Sequence, residues 1–145
     1  MKSFSKKSIE TLKHYVYALV DPESNQIFYI GRGKGNRGLQ HLKESNGDES
    51  ENKKTIAGIR ARGQEPRVDI IRYGLDSKSV IEVEAAIIDS LGLGNITNEI
   101  RGFDTSRGRA DSKDLNTQLG GKPLDISEIK DIVILFFCHK SLDSG

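Results

Sequence analysis

The stretch HYVYALVDPESNQIFYIGRGKGNRGLQH, residues 14–41, constrains this chain more than any other. Two short apolar segments, 15–20 and 26–30, flank Asp21-Pro22-Glu23-Ser24-Asn25. Those five residues are turn formers, so the unit reads as a β-hairpin. Pairing Val20 with Gln26 sets Leu19 opposite Ile27, Ala18 opposite Phe28 and Tyr17 opposite Tyr29. The two phenols then form a cross-strand pair on one face, and a one-residue slip would separate them. A glycine-rich basic loop follows, Gly31-Arg32-Gly33-Lys34-Gly35-Asn36-Arg37. Asn36 suits the N-cap of a helix running to about residue 44. Leu39 and Leu42 make the buried side of that helix, with Arg37 and His41 (i, i+4) on the opposite one. Two tyrosines, an arginine and a histidine therefore converge at the end of one hairpin.

The rest of the chain supplies one more strand and two more long helices. Residues 1–13 read as a polar lead-in with a short helix at 8–13. A helix over 52–62 is ended by Gly63, with Ile56 and Ile59 on its apolar side. Pro66 starts a third strand at 67–73, and residues 74–76 turn the chain. Ser79 and Glu82 have capping-box spacing at the head of a helix over 78–91. Residues 96–98 form an extended piece returning to the sheet. A polar connector over 103–122 carries a helical turn or two near 112–119. The tail at 126–138 fits either period: Ile132, Val133 and Ile134 favour a strand, while Ile129, Ile132, Val133 and Phe136 fit a helical stripe. The strand is preferred. The result is a small α+β domain, a three-stranded antiparallel sheet flanked by helices.

At 145 residues the chain suffices for one modest core. A formal net charge of +1 does not advertise a nucleic-acid binder, but its distribution is uneven. Every charge from Arg32 to Lys43 is positive, and residues 53–72 are mainly basic; acids collect at 44–51 and 125–131. A nearly neutral protein can still present one basic face. The single cysteine, Cys138, excludes an internal disulfide. No segment reads as a signal peptide or a membrane span, so a cytoplasmic home and no membrane partner are expected.

Glu84 is the sharpest chemical signal outside the hairpin. Val80, Val83, Ile87, Ile88 and Leu91 make the core-facing stripe of its helix, and Glu84 lies inside that stripe. A carboxylate pointed inward needs a cation, either an arginine or a metal ion. The loop also carries a literal G-x-G-x-x-G at residues 33–38. A dinucleotide fold would need a second parallel strand about twenty residues on, and residues 46–54 are polar without one. No nucleotide cofactor is expected.

Tyr-x-Tyr, then Phe-Tyr-Ile-Gly, then Arg-x-x-x-His resembles the GIY-YIG nuclease superfamily, in the branch of the animal nucleases carrying ankyrin and LEM domains. Tyr17 matches the tyrosine of the first signature, and Tyr29-Ile30-Gly31 match the second outright. Tyr15-Val16-Tyr17 stands where Gly-Ile-Tyr would be. The resemblance covers about residues 13–102. It implies a lead-in at 1–13, a nuclease domain at 14–102 and an extension at 103–145 packing on it.

The resemblance also implies roles. Tyr17 would take the proton from an attacking water, and Tyr29 would position water or phosphate. Arg37 would contact the scissile phosphate, and His41 would orient phosphate or assist proton transfer. Glu84, in Glu84-Ala85-Ala86-Ile87-Ile88, matches the helix holding the family's metal-binding glutamate, for Mg²⁺ or Mn²⁺. Arg32, Lys34 and Lys54 read as phosphate-backbone contacts, and Asn98 supports the site from its edge. The function implied is metal-dependent hydrolysis of DNA phosphodiesters. The alternative is a DNA-binding module that keeps the scaffold and cuts nothing. DNA specificity, pathway and oligomeric state are not written in these motifs.

Overall fold

The computed structural model describes residues 2–44, 49–99, 102 and 104–121. The apolar run at 126–138 lies outside them. The chain divides into two compact units, residues 1–109 and 110–145. In the second unit the helix Ser112–Gly120 is capped by Asp111, whose side chain accepts from the Lys113 N–H at 2.8 Å.

The first unit is built on a three-stranded antiparallel sheet. Its strands are β1 (His14–Val20), β2 (Ile27–Lys34) and β3 (Arg67–Leu75), in the order β2-β1-β3. Helices α1 (Lys6–Leu12), α2 (Arg37–Lys43), α3 (Glu51–Ala61) and α4 (Ser79–Leu91) surround it. The α+β class read from the sequence is the one observed. The first helix starts at Lys6, where Ser5 caps it through the Ser8 N–H.

β1 is central and covered on both faces, which is why residues 15–20 form an unbroken apolar run. Strand alternation sends Val16, Ala18 and Val20 to one face, where Ile30, Val80, Ile88 and Ile96 close over them. Tyr15, Tyr17 and Leu19 go to the other, with Phe28, Ile56 and Ile59. Helix α4 thus covers the first face and α3 the second.

The hairpin register differs from the sequence expectation. Tyr17 faces Gly31, not Tyr29, and Leu19 faces Tyr29. The cause is an irregularity between Leu19 and Val20: Val20 pairs with Ile27, so Phe28 is an extra residue in β2. The shift is two residues at Tyr17, so side-chain parity survives and both tyrosines stay on one face.

Two caps also differ. Asn36 precedes α2, but its side chain makes no cap bond; its Oδ1 accepts from the Phe4 N–H at 2.7 Å and ties down the N-terminal segment. At α4 the expected Ser79–Glu82 box is absent. Asp76 Oδ1 takes the Lys78 and Ser79 N–H groups at 2.9 and 2.7 Å instead. Glu82 pairs with Arg107.

Candidate active site

Gly31 lies directly across from Tyr17, and the Tyr17 ring packs onto its bare main chain. The Tyr17 and Tyr29 rings meet over this glycine with centroids 6.3 Å apart. A Cβ at Gly31 would fall 2.7 Å from Tyr17 Cζ and 2.9 Å from Tyr29 Cε1, so only glycine permits the approach. Gly38 does similar work on α2: a Cβ there would sit 3.3 Å from the Tyr17 ring.

The close seat of α2 brings His41 onto the tyrosines. Its Nδ1 is 2.7 Å from the Tyr17 hydroxyl, and its ring meets Tyr29 edge-on at 4.7 Å. The sequence places His41 on the side of α2 away from the buried leucines. The side turned to the sheet is that of Gly38, which lies between His41 and Leu42, so His41 is half-buried against the phenols while Leu42 packs on the same core cluster. Arg37, one turn earlier, is exposed and makes an ion pair with Glu44 at 3.3 Å. Such an exposed pair contributes little and is easily exchanged for another anion.

Burial raises the Tyr17 pKa well above its usual value, and the neighbouring Tyr29 pushes the same way, while Arg37 opposes both. Tyr29 is raised by burial and then by the Glu84 charge, against Arg37 and Arg32. His41 is lowered, first by burial and then by Arg37. In the free chain both phenols are therefore protonated at neutral pH and the imidazole is neutral.

Glu84 points inward as its helical position predicts, its side chain 13% exposed. Burial raises its pKa, and Arg32 opposes the rise with its guanidinium and its main-chain N–H. Arg32 Nη1 stands 2.5 Å from Glu84 Oε2. Of the two cation partners weighed from the sequence, the arginine is the one in place. Among the described residues, no group of three or more His, Cys, Asp or Glu forms a ready-made metal cage. The donor set fits an ion that takes one hard carboxylate and fills its other positions with water and phosphate oxygens, as Mg²⁺ does. The Arg32 side chain is 46% exposed, so it can turn toward another anion.

The other basic candidates stand on the elements that carry this cluster. Lys34 is exposed at the end of β2. Lys54 is on α3, paired with Glu51 at 3.0 Å. Asn98 is spent on the fold: its Oδ1 accepts from Ile30 N–H at 3.0 Å and its Nδ2 donates to Ile30 O at 2.7 Å. Thr97 bonds Phe28 O through its main-chain N–H and its hydroxyl. The extended piece expected at 96–98 thus clips the outer edge of β2. A cleft lined by Tyr29, His41, Asn52, Lys53, Asn98 and Glu99 opens beside the rings.

The family profile of the LEM-3-like GIY-YIG domain matches residues 14–125. The chain belongs to this family. GIY-YIG domains are nuclease domains, so a nucleic-acid substrate, endonuclease activity and the use of a divalent metal ion go with the membership. No curated protein and no solved structure matches the chain. Among the described residues, no helix is long and apolar enough to cross a membrane.

Two residues of this GIY-YIG site escape a reading by motif. Tyr15 occupies the glycine position of the first signature and is fully buried. Its hydroxyl donates to Gly35 O at 2.9 Å and accepts from Gly38 N–H at 3.0 Å, bracing the glycine-rich loop against α2. Asn52 is the second, a buried polar side chain 2.7 Å from His41 Nε2.

Proposed function

We propose that this chain is a metal-dependent DNA endonuclease. Water attacks phosphorus in line, and Tyr17 removes its proton. The P–O3′ bond breaks, O3′ takes a proton from solvent, and 3′-hydroxyl and 5′-phosphate ends result. The observation that carries the reading is the contact of Tyr17 with His41 Nδ1 at 2.7 Å, over a glycine that admits both phenols. A protonated phenol cannot act as a base until its own proton has somewhere to go, and a neutral imidazole can take it.

Tyr29 lies against the same histidine and beside the Glu84 charge, a position suited to holding water or a phosphate oxygen. Arg37, exposed and loosely paired, reaches the phosphate and stabilises charge developing on phosphorus. Arg32, Lys34 and Lys54 engage neighbouring phosphates. A divalent ion on Glu84 would supply positive charge for the scissile phosphate oxygens. Arg32 meets the need of that carboxylate for a cation in the free chain.

The test is nicking of supercoiled plasmid in Mg²⁺ with and without chelator. Tyr17→Phe should lower the rate by about 10²–10⁴. Arg37→Ala and Glu84→Gln should also abolish cleavage while thermal melts stay cooperative. Near-normal cutting by the Glu84 variant would refute the metal assignment. The Arg32–Glu84 pair favours a second reading, a module that binds DNA without cutting, because it satisfies Glu84 with no metal at all. Intact plasmid together with a gel shift would decide for that reading.

A further inference from the structure

Asn52 is 5% exposed, in the first turn of α3 and four residues before the core residue Ile56. Its carboxamide lies against one nitrogen of His41, and Tyr17 lies against the other. A neutral imidazole carries one N–H and one lone pair, so its two partners cannot both donate. If the Asn52 amino group faces Nε2, then Nε2 is the acceptor and Nδ1 carries the hydrogen. In that state His41 has no lone pair for the Tyr17 proton. The Tyr17 side chain is almost wholly buried, and His41 Nδ1 is its hydrogen-bond partner among the described residues. The Asn52 carbonyl oxygen would also be buried without a partner.

Turning the carboxamide by half a revolution exchanges its oxygen and nitrogen, and the hydrogen-bond network decides between the two. With the oxygen toward His41, Nε2–H donates to Asn52 and the Nδ1 lone pair receives the Tyr17 O–H. The 2.7 Å separation is an ordinary length for N–H···O. The amino group then takes the buried place of the oxygen, which has no partner among the described residues, so the choice rests on the Tyr17 hydroxyl, to which only this tautomer offers an acceptor.

We propose that Asn52 is a positioning residue: its carboxamide oxygen accepts from His41 Nε2–H and so fixes the tautomer whose free Nδ1 can take the Tyr17 proton. The proposal rests on the nuclease reading for its consequence, but not for its geometry. As Tyr17 accepts the proton of the attacking water, its own proton passes to Nδ1. The imidazolium then donates to Tyr17 on one side and Asn52 on the other, and returns the proton to solvent after cleavage.

The test compares the wild-type chain with Asn52→Asp, which keeps an acceptor, and Asn52→Leu, which keeps the volume and removes it. Ring ¹⁵N shifts, assigned to His41 by comparison with His41→Gln, report the tautomer directly. Wild type and Asn52→Asp should show a pyrrole-type Nε2 and a pyridine-type Nδ1. Asn52→Leu should lose that preference, and its kcat should fall about 10–100-fold with KM little changed. Asn52→Asp should retain most of the rate. Thermal melts establish that each variant is folded. An Nδ1–H tautomer in the wild type would overturn the proposal, as would a Leu variant with unchanged ring shifts and kcat. A protein that cuts nothing while His41 keeps the Nε2–H form upholds the bond to Asn52 and overturns the nuclease reading instead.

Discussion

Gly31→Ala tests the convergence of the two tyrosines, and its sign is decisive. Gly31 needs no left-handed backbone conformation, so its backbone alone would accept alanine. A strand glycine replaced by alanine should gain about 0.5–1 kcal/mol if nothing else is involved. The structure predicts the opposite. The new Cβ would lie 2.7 Å from Tyr17 Cζ and 2.8 Å from its oxygen, whereas ordinary contact begins near 3.4 Å. The Tyr17 ring must therefore retreat by about 0.7 Å, into a core that already holds Leu19, Ile56 and Ile59. Overpacking of this kind costs about 1–3 kcal/mol. Each kcal/mol moves Tm by about 4–8 °C in a domain of this size. The displaced hydroxyl also loses its alignment with His41, and a misplacement near 1 Å costs up to about 10²-fold in rate. Urea denaturation measures the stability and plasmid nicking the rate. Gly58→Ala is the control: that helical glycine is exposed, and its added Cβ would meet nothing within 4 Å. It should stabilise by about 0.5–1 kcal/mol. If Gly31→Ala gains stability as Gly58→Ala does, the rings do not meet where described.

Three further outcomes follow from the same packing. Tyr15→Phe removes the acceptor of the buried Gly38 N–H and should cost about 1–3 kcal/mol, with faster amide exchange at residues 35–38 as the local readout. Asn98→Ala removes both bonds to Ile30; urea denaturation should show a loss of about 1–3 kcal/mol, and an unchanged midpoint would show that the edge of β2 needs no clip. The pH dependence of stability should carry a His41 component. Its folded pKa lies below the ordinary 6.5, because burial and the Arg37 and Lys53 charges outweigh Glu44. The unfolded chain then binds the proton first, so stability is full above about pH 6.5 and falls below it. His41→Gln should flatten that window, and denaturation midpoints between pH 5 and 7.5 measure it. The lowered carboxyls of Asp21, Asp69, Asp76 and Asp104 act separately: their contribution is lost at more acidic pH, below the ordinary aspartate value near 3.8.

Period and turn chemistry made much of the fold legible. The apolar run at residues 15–20, the turn formers after it and Gly63 behind α3 each mark an element that is present. What failed was local. The extra residue at Phe28 shifts the hairpin register, and no residue type in Ile27-Phe28-Tyr29 announces it. Asp76 displaced the expected capping box because its carboxylate reaches two N–H groups from outside the helix. Glu84 was legible because it is a polar residue at an apolar position. The same test applied to α3 finds Asn52, which with Ile56 and Ile59 follows the i, i+4, i+7 spacing of one buried stripe. The motif drew attention to Tyr17 and away from Tyr15, whose hydroxyl work depends on where the loop comes to rest.

The place of β2 at the sheet edge explains how groups from opposite faces meet. The phenols and His41 lie on the face covered by α3, whereas Glu84 belongs to α4 on the other. A central strand would keep two such sets apart. β2 has a neighbour on one side only, and Thr97 and Asn98 clip its outer edge at Phe28 and Ile30. That clip satisfies main-chain groups that would otherwise invite another strand. It reaches Ile30, immediately before Gly31. From there β2 carries glycine at 31 and 33, both toward the phenol face, while Arg32 between them turns to Glu84. From the other side of the strand the Glu84 charge still raises both phenols, Tyr29 more than Tyr17. The sequence Tyr-Ile-Gly-Arg-Gly thus does three things in order: it supplies a phenol, bares the main chain for the Tyr17 ring, and sets a cation against the buried carboxylate.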